Sequence, residues 1–160
     1  MEPSINKILV PIDFSDYSKS ALKYAVNFCK NCQAEMFLIY VVEQVVYPPD
    51  FSMGQIAIPS VNAEWDERAR QELDKLAKEH IPSTVQVKTI IKTGKPFIEI
   101  IETAGELDID LIIIATHGRS GMEHILFGST AEKVVRKAPC PVLTLREPIK
   151  GFNYKMEMKK

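Results

Sequence analysis

Three glycines, Gly118, Gly121 and Gly128, stand between the unbroken apolar run 111–115 (Leu-Ile-Ile-Ile-Ala) and the pair Ser129-Thr130. Residues 131–137 (Ala-Glu-Lys-Val-Val-Arg-Lys) read as a short helix, so the order is buried strand, glycine-bearing loop, helix start. A helix amino terminus carries unpaired N–H groups and the positive end of the peptide dipoles, so it attracts an anion, and glycines let the backbone come close to it. Phosphate is the anion this order suits. Ser129 or Thr130 could cap the helix and donate a hydroxyl to a phosphate oxygen, and Arg119 could add a charge-assisted contact from the loop. A plainer reading stays open, in which the glycines only turn the chain, Ser129 is only an N-cap and Arg119 is a solvated charge.

Other chemistry fares less well. Cys29-Lys30-Asn31-Cys32 has redox-like spacing but falls at the end of a helical pattern, whereas thiolate activation favours a helix start. The simpler reading is that both cysteines face the core or the helix end. Cys140 sits between Pro139 and Pro141, and the further Cys and His ligands of a zinc site are missing. Gly94-Lys95 lacks the upstream glycine and following hydroxyl residue of a Walker A loop, and no G-x-G-x-x-G follows the first strand. Gly118-Arg119-Ser120-Gly121 is no nucleophile elbow, because Met122 stands where a glycine is needed. For His117 and His124 no catalytic partner is identifiable, so a structural role is the expectation. No catalytic residue is therefore assigned.

The elements that must position the glycine loop follow from periodicity. Residues 7–12 read as a buried strand with Asp13 at its carboxyl end, and Ser15 can cap the helix that follows. Ala21, Leu22, Ala25, Phe28, Cys29 and Cys32 recur at helical intervals on one face. Residues 35–42 form a second apolar strand. Residues 43–60, with Pro48, Pro49, Gly54 and Pro59, read as a long loop. A helix over 61–79 is signalled by Trp65, Ala69, Leu73, Leu76 and Ala77 on one face. A strand over 85–92 is broken by Gly94-Lys95-Pro96, and Phe97, Ile98, Ile101, Ala104 and Leu107 mark a helix with Pro96 in its first turn. After the glycine loop and its helix, residues 142–145 supply a fifth strand. Five strands alternating with four helices favour one Rossmann-like α/β domain, a doubly wound parallel sheet with helices on both faces. Such sheets bind ligands beyond the carboxyl ends of their strands, where strand order switches. Asp13, Val41 and the Gly118 loop all lie at such ends, and a crevice with an anion nest, a carboxylate and an apolar wall suits a nucleotide.

The bulk properties set limits. A chain of 160 residues, 46% hydrophobic and 26% charged, fits one globular domain. A net charge of −1 and the lack of a basic stripe argue against nucleic acid and against an anionic membrane surface. With no charged-then-apolar leader and no run of about 20 apolar residues, the expected location is the cytoplasm.

The motifs taken together resemble the universal stress protein family. Ile8-Leu9-Val10-Pro11-Ile12-Asp13-Phe14-Ser15 followed by Ser20-Ala21-Leu22 is similar to the family's opening. Ala115-Thr116-His117-Gly118, nine residues, then Gly128-Ser129-Thr130-Ala131-Glu132 is similar to the G-x-x-G-x9-G-(S/T) signature of its ATP-binding branch. Ala138-Pro139-Cys140-Pro141-Val142 is similar to the lead into its last strand. One position departs: Ala115 stands where the signature has its first glycine, which narrows the room beside a ribose. The resemblance implies strand order 3-2-1-4-5, with ATP across the switch point between the first and fourth strands. It places Pro11, Ile12 and Asp13 on the adenosine half, Asp13 accepting from ribose hydroxyls or holding a metal-bound water. Val41 would offer backbone groups to the adenine edge, and Ala115 would border the ribose. Gly118, Arg119, Gly128, Ser129 and Thr130 would hold the phosphates, with Mg²⁺ bridging phosphate oxygens.

The implied function is a nucleotide-responsive stress or signalling module that binds ATP or another adenine nucleotide, with slow hydrolysis at most. A nucleotide-free dimeric interaction protein of the same fold is the alternative, and an ATPase is a third. The family domain would cover residues 1–146. In the tail, 147–160, Phe152, Tyr154, Met156 and Met158 alternate with polar residues, a strand pattern that suggests an added edge strand or an arm across a homodimer built on the last strand. A frayed tail is the plainer reading, and the protein partner is unknown.

Overall fold

The computed structural model describes residues 4–43, 59–118 and 127–146. Residues 1–3 and 44–58, the segment 119–126 with Arg119, Gly121 and His124, and the tail 147–160 lie outside the described residues.

The chain alternates strand and helix throughout: β1 (Lys7–Pro11), α1 (Asp16–Cys32), β2 (Glu35–Val42), α2 (Pro59–His80), β3 (Val87–Thr93), α3 (Pro96–Glu106), β4 (Leu111–Ala115), α4 (Ser129–Lys137) and β5 (Val142–Leu145). All strand pairs are parallel and the sheet order is β3-β2-β1-β4-β5. The expected doubly wound sheet of five parallel strands in order 3-2-1-4-5 is therefore the fold. The unalternating strands have the physical reason anticipated for them, because helices cover both faces. Ile8, Val10, Met36, Leu38 and Ile113 pack with Leu22, Ala25, Cys29, Leu73 and Leu76 of α1 and α2. On the other face Leu9, Phe37, Ile39, Ile112 and Ile114 pack with Ile100 and Ala104 of α3 and Ala131 and Val134 of α4. Ile8, Leu9, Val10, Ile112 and Ile113 have no solvent exposure, and each such side chain contributes roughly 1.5–3 kcal/mol by leaving water.

Four expectations need correcting. The helix expected over 61–79 begins at Pro59, because proline at a first helical turn loses no hydrogen bond and need not mark a loop. Trp65, expected on the core face of that helix, is 64% exposed, while Ala69, Leu73, Leu76 and Ala77 do face inward. α4 begins at Ser129, with Gly128 as its N-cap and no side-chain capping bond, so neither the Ser129 nor the Thr130 hydroxyl caps it. Cys32, on the apolar stripe of α1 in the sequence, is exposed, whereas Cys29 is buried.

The middle of the sheet determines where a ligand can enter. β1 pairs with β2 at five positions, Lys7 to Pro11, but its ladder with β4 is recorded at two, Ile8–Leu111 and Leu9–Ile112. Past Leu9 the chain follows β2 instead, with the Ile12 N–H donating to the Ile39 carbonyl at 2.8 Å. β4 follows β5 to its end, since its ladder reaches Ala115–Leu145 and the Thr116 N–H donates to the Leu145 carbonyl at 2.9 Å. The carboxyl ends of β1 and β4 thus have different partners, which leaves a crevice at the switch in strand order.

Candidate functional site at the β1/β4 switch

One wall of the crevice is the turn out of β1. Pro11 ends the strand, Ile12 is buried, and Asp13 is half-buried. Phe14 then takes a left-handed conformation with φ of 63°, which for a non-glycine residue costs roughly 1–2 kcal/mol. Its ring lies 4.9 Å from that of Tyr40 and packs on the core beneath α1 and α2, which offsets that cost. The turn points the Asp13 carboxylate back over the sheet end, where Oδ1 accepts from the Ser15 N–H at 3.0 Å and from the Ser15 hydroxyl. The same hydroxyl caps α1 by accepting from the Ser18 N–H at 3.2 Å. Buried Ser18 donates its own hydroxyl to the Ser15 carbonyl at 3.0 Å. The carboxylate is therefore held by a small serine network built into the first turn of α1.

The facing wall is the end of β4. Ala115 and Thr116 are buried, with Ala115 8% exposed. The Thr116 hydroxyl is 3.0 Å from His117 Nδ1, and the imidazole lies 5.5 Å from the Tyr17 ring of α1. Gly118 comes next, and a Cβ there would collide with Oδ2 of Asp13. Gly128, ten residues on, returns to the same strand end: its N–H donates to the Thr116 carbonyl at 2.6 Å, and a Cβ on it would sit 3.2 Å from that oxygen. Gly128 has φ −65° and ψ 152°, an ordinary extended conformation. A side chain there is opposed by close approach rather than by backbone torsion.

These contacts fix α4 against β4. The first intrahelical bond runs from the Glu132 N–H to the Gly128 carbonyl at 3.0 Å, so the N–H groups of Ser129, Thr130 and Ala131 precede it and lie at the positive end of the helix. Ser129 is exposed and Thr130 half-buried. Val41, near the end of β2, has a buried side chain in the cluster under α3 and α4 and is paired with Lys92 of β3.

The structure therefore brings Asp13, Ala115, Gly118, Gly128 and the α4 amino terminus to one crevice, with Pro11 and Ile12 at its β1 side. Val41 stands one strand further along, and Arg119 lies outside the described residues. The sequence reading missed Ser15 and Ser18 as holders of Asp13, Thr116 as the seat for Gly128, and Tyr17 as the neighbour of His117. The spacing Asp13-x-Ser15-x-x-Ser18 carried a signal for the first two, an Asx-type turn running into an N-cap. Among the described residues no group of three or more His, Cys, Asp or Glu is arranged to hold a metal ion, and no helix is long and apolar enough to cross a membrane. A separate hollow of about 280 Å³ lies between α2 and β3, lined by Asp74, Ile81, Val85, Val87 and Thr89. It includes the amino end of β3, away from the crevice.

Residues 4–146 match the universal stress protein family model. The chain is 38% identical over 147 residues to universal stress protein MJ0531 of Methanocaldococcus jannaschii, covering 90% of this chain and 84% of that one. The structure of the universal stress protein UspA from Lactobacillus plantarum superposes with a TM-score of 0.71 at 30% identity, covering 91% of this chain and all of that one. Two more distant structures share the fold: a universal stress protein in complex with cAMP (TM-score 0.60, 21% identity, covering 89% of this chain and 98% of that one) and one from Archaeoglobus fulgidus in complex with dAMP (0.56, 18%, 89% and 98%). On the family match over almost the whole described chain, together with the fold it shares, this protein belongs to the universal stress protein family.

Proposed function

We propose that the chain is a nucleotide-responsive signalling module that binds ATP with Mg²⁺ at the β1/β4 crevice and hydrolyses it slowly at most. The observation that carries this reading is the seating of Gly128 on Thr116 opposite the Asp13–Gly118 contact. Support comes from the unpaired N–H groups at the start of α4, the carboxylate at the end of β1, and the close approaches at Gly118 and Gly128. The N–H groups of Ser129, Thr130 and Ala131 suit phosphate oxygens, which prefer such oriented donors. Asp13 suits the ribose hydroxyls or a metal-bound water, and the Ser15 bonds that hold its carboxylate support that role. Pro11 and Ile12 supply an apolar surface for the adenosine half, the Val41 backbone suits the adenine edge, and Ala115 borders the sugar. Gly118 and Arg119 are assigned to the phosphates by the family resemblance. The family relatives solved with cAMP and dAMP support an adenine nucleotide as the class of ligand. Magnesium, when bound, would neutralise phosphate charge, and Asp13 is the residue that would hold one of its waters.

A second reading has its own observation. Ala115 is buried at the strand end where the family signature has a glycine, and a methyl group at that point reduces the space beside the sugar. In that reading the fold works as a homodimeric interaction protein. Self-association is part of the proposal in either case: β5 is an edge strand whose four residues are all half-buried, and the alternating tail directly after it is suited to extend that edge into a partner chain.

Calorimetric titration of nucleotide-free protein with ATP and Mg²⁺, with cAMP and dAMP run in parallel, separates the readings. Saturable binding at one site per chain is expected. Heat no different from buffer with a folded chain would overturn the nucleotide reading and leave the interaction protein in its place.

A further inference from the structure

The Cys29-Lys30-Asn31-Cys32 motif is not used by the nucleotide crevice, and the structure gives it a definite geometry. Both cysteines lie in the last turn of α1, which ends at Cys32. Cys29 is 1% exposed among the α1 and α2 core residues, and Cys32 is exposed. Three residues apart on one helix, their Cα atoms are about 5 Å apart, inside the range that a disulfide spans. Their Cβ atoms, at about 5–6 Å, are farther apart than the roughly 4 Å a relaxed disulfide takes. Closing the bond must draw in the last turn. The helix ends at that turn, with Gln33 in the left-handed conformation and the Ala34 N–H donating back to the Cys29 carbonyl at 3.0 Å.

We propose that Cys29 and Cys32 form a peroxide-responsive modification site, in which exposed Cys32 is oxidised by a hydroperoxide and buried Cys29 closes a reversible disulfide onto it. In the first step the Cys32 thiolate attacks one peroxide oxygen, the O–O bond breaks, and water or an alcohol leaves with a proton, giving a sulfenic acid. In the second the Cys29 sulfur loses its proton and attacks the Cys32 sulfur, the S–O bond breaks and water leaves. Two thiols are oxidised by two electrons, and the hydroperoxide is reduced by the same two. The misfit at the Cβ atoms makes this a labile bond, readily reduced by thiols, rather than a permanent staple. Burial, with a smaller effect from Cys32, pushes the Cys29 thiol up to about 11. The closing step therefore speeds up with pH over the whole range below that value.

Lys30 lies between the two cysteines, so trypsin separates them into peptides 24–30 and 31–68, with Cys140 in 138–146. The folded full chain is treated with hydrogen peroxide, its remaining thiols are alkylated in denaturant, and it is digested without reductant. The expected product is peptides 24–30 and 31–68 joined covalently, from a whole chain of monomer mass lighter by two hydrogens. It should separate with dithiothreitol, vanish completely in Cys32→Ser and persist in Cys140→Ser. Cys29 recovered alkylated while Cys32 is sulfinated, or the cysteines joined only between chains, would overturn the site. Circular dichroism on Cys32→Ser, a change at an exposed helix end, confirms that its loss of product is not unfolding.

Discussion

The Asp13 carboxylate occupies the space into which a side chain at Gly118 would project. The two residues are far apart in sequence and meet because β1 and β4 are neighbours whose carboxyl ends diverge onto different partners. Gly118→Ala should therefore lower stability by about 1–3 kcal/mol, as overpacking does, and Asp13→Ala in that background should recover most of it. Urea denaturation of the four proteins in the cycle measures the coupling. Additive losses would mean that the carboxylate moves aside freely.

Ser15 serves two masters, the α1 cap and the Asp13 carboxylate. Ser15→Ala should cost about 1 kcal/mol, the usual value of a cap, and should also weaken nucleotide binding by releasing Asp13. Ser15→Asn, which keeps the cap, should restore stability but not affinity. Equal recovery of both would show that the serine acts on the helix alone.

The Cys29 thiol is raised by burial from its usual 9.0 to about 11. The unfolded chain therefore gives up this proton before the folded one, so the group's contribution is unchanged below about pH 9 and stability is lost as pH rises from there towards about 11. Against Cys29→Ala, wild-type stability should fall by up to roughly 2–3 kcal/mol more over that interval, at about 1.4 kcal/mol per pKa unit. Parallel curves for the two proteins would show that Cys29 ionises in the folded state as readily as in the unfolded one.

Self-association through β5 and the tail makes a separate prediction. A chain ending at Pro148 should sediment with a weaker monomer–dimer equilibrium than the full chain, because the alternating residues Phe152 to Met158 would be missing. Identical sedimentation of the two would exclude the tail as an arm.

Most of the fold was legible because long apolar runs and three- and four-residue spacings are set by burial on a covered sheet. The strands expected at 35–42, 111–115 and 142–145 have those bounds, and Pro96 opens α3 as its first-turn preference suggests. Trp65 was misplaced because periodicity reports which side of a helix a residue occupies, not whether the core extends far enough along the axis to cover it. The glycine loop showed that a tight approach occurs, but not what is approached. Gly118 yields to Asp13 and Gly128 to the Thr116 carbonyl, both long-range contacts with no local signature. The left-handed Phe14 that aims Asp13 was equally hidden, since nothing about a phenylalanine announces positive φ.

Gly128→Val tests the central claim most directly when titrated with ATP and Mg²⁺ beside the wild type. Its backbone torsions suit any residue, so the variant should remain folded, with a Tm within several degrees of the parent. The added side chain must push against the Thr116 carbonyl, 3.2 Å from the first carbon alone, and shift the α4 amino terminus. The account predicts saturable binding by the wild type and a loss of at least about tenfold in affinity in the variant, the factor that corresponds to about 1.4 kcal/mol. Undiminished binding by a folded Gly128→Val chain would contradict the crevice as the phosphate site.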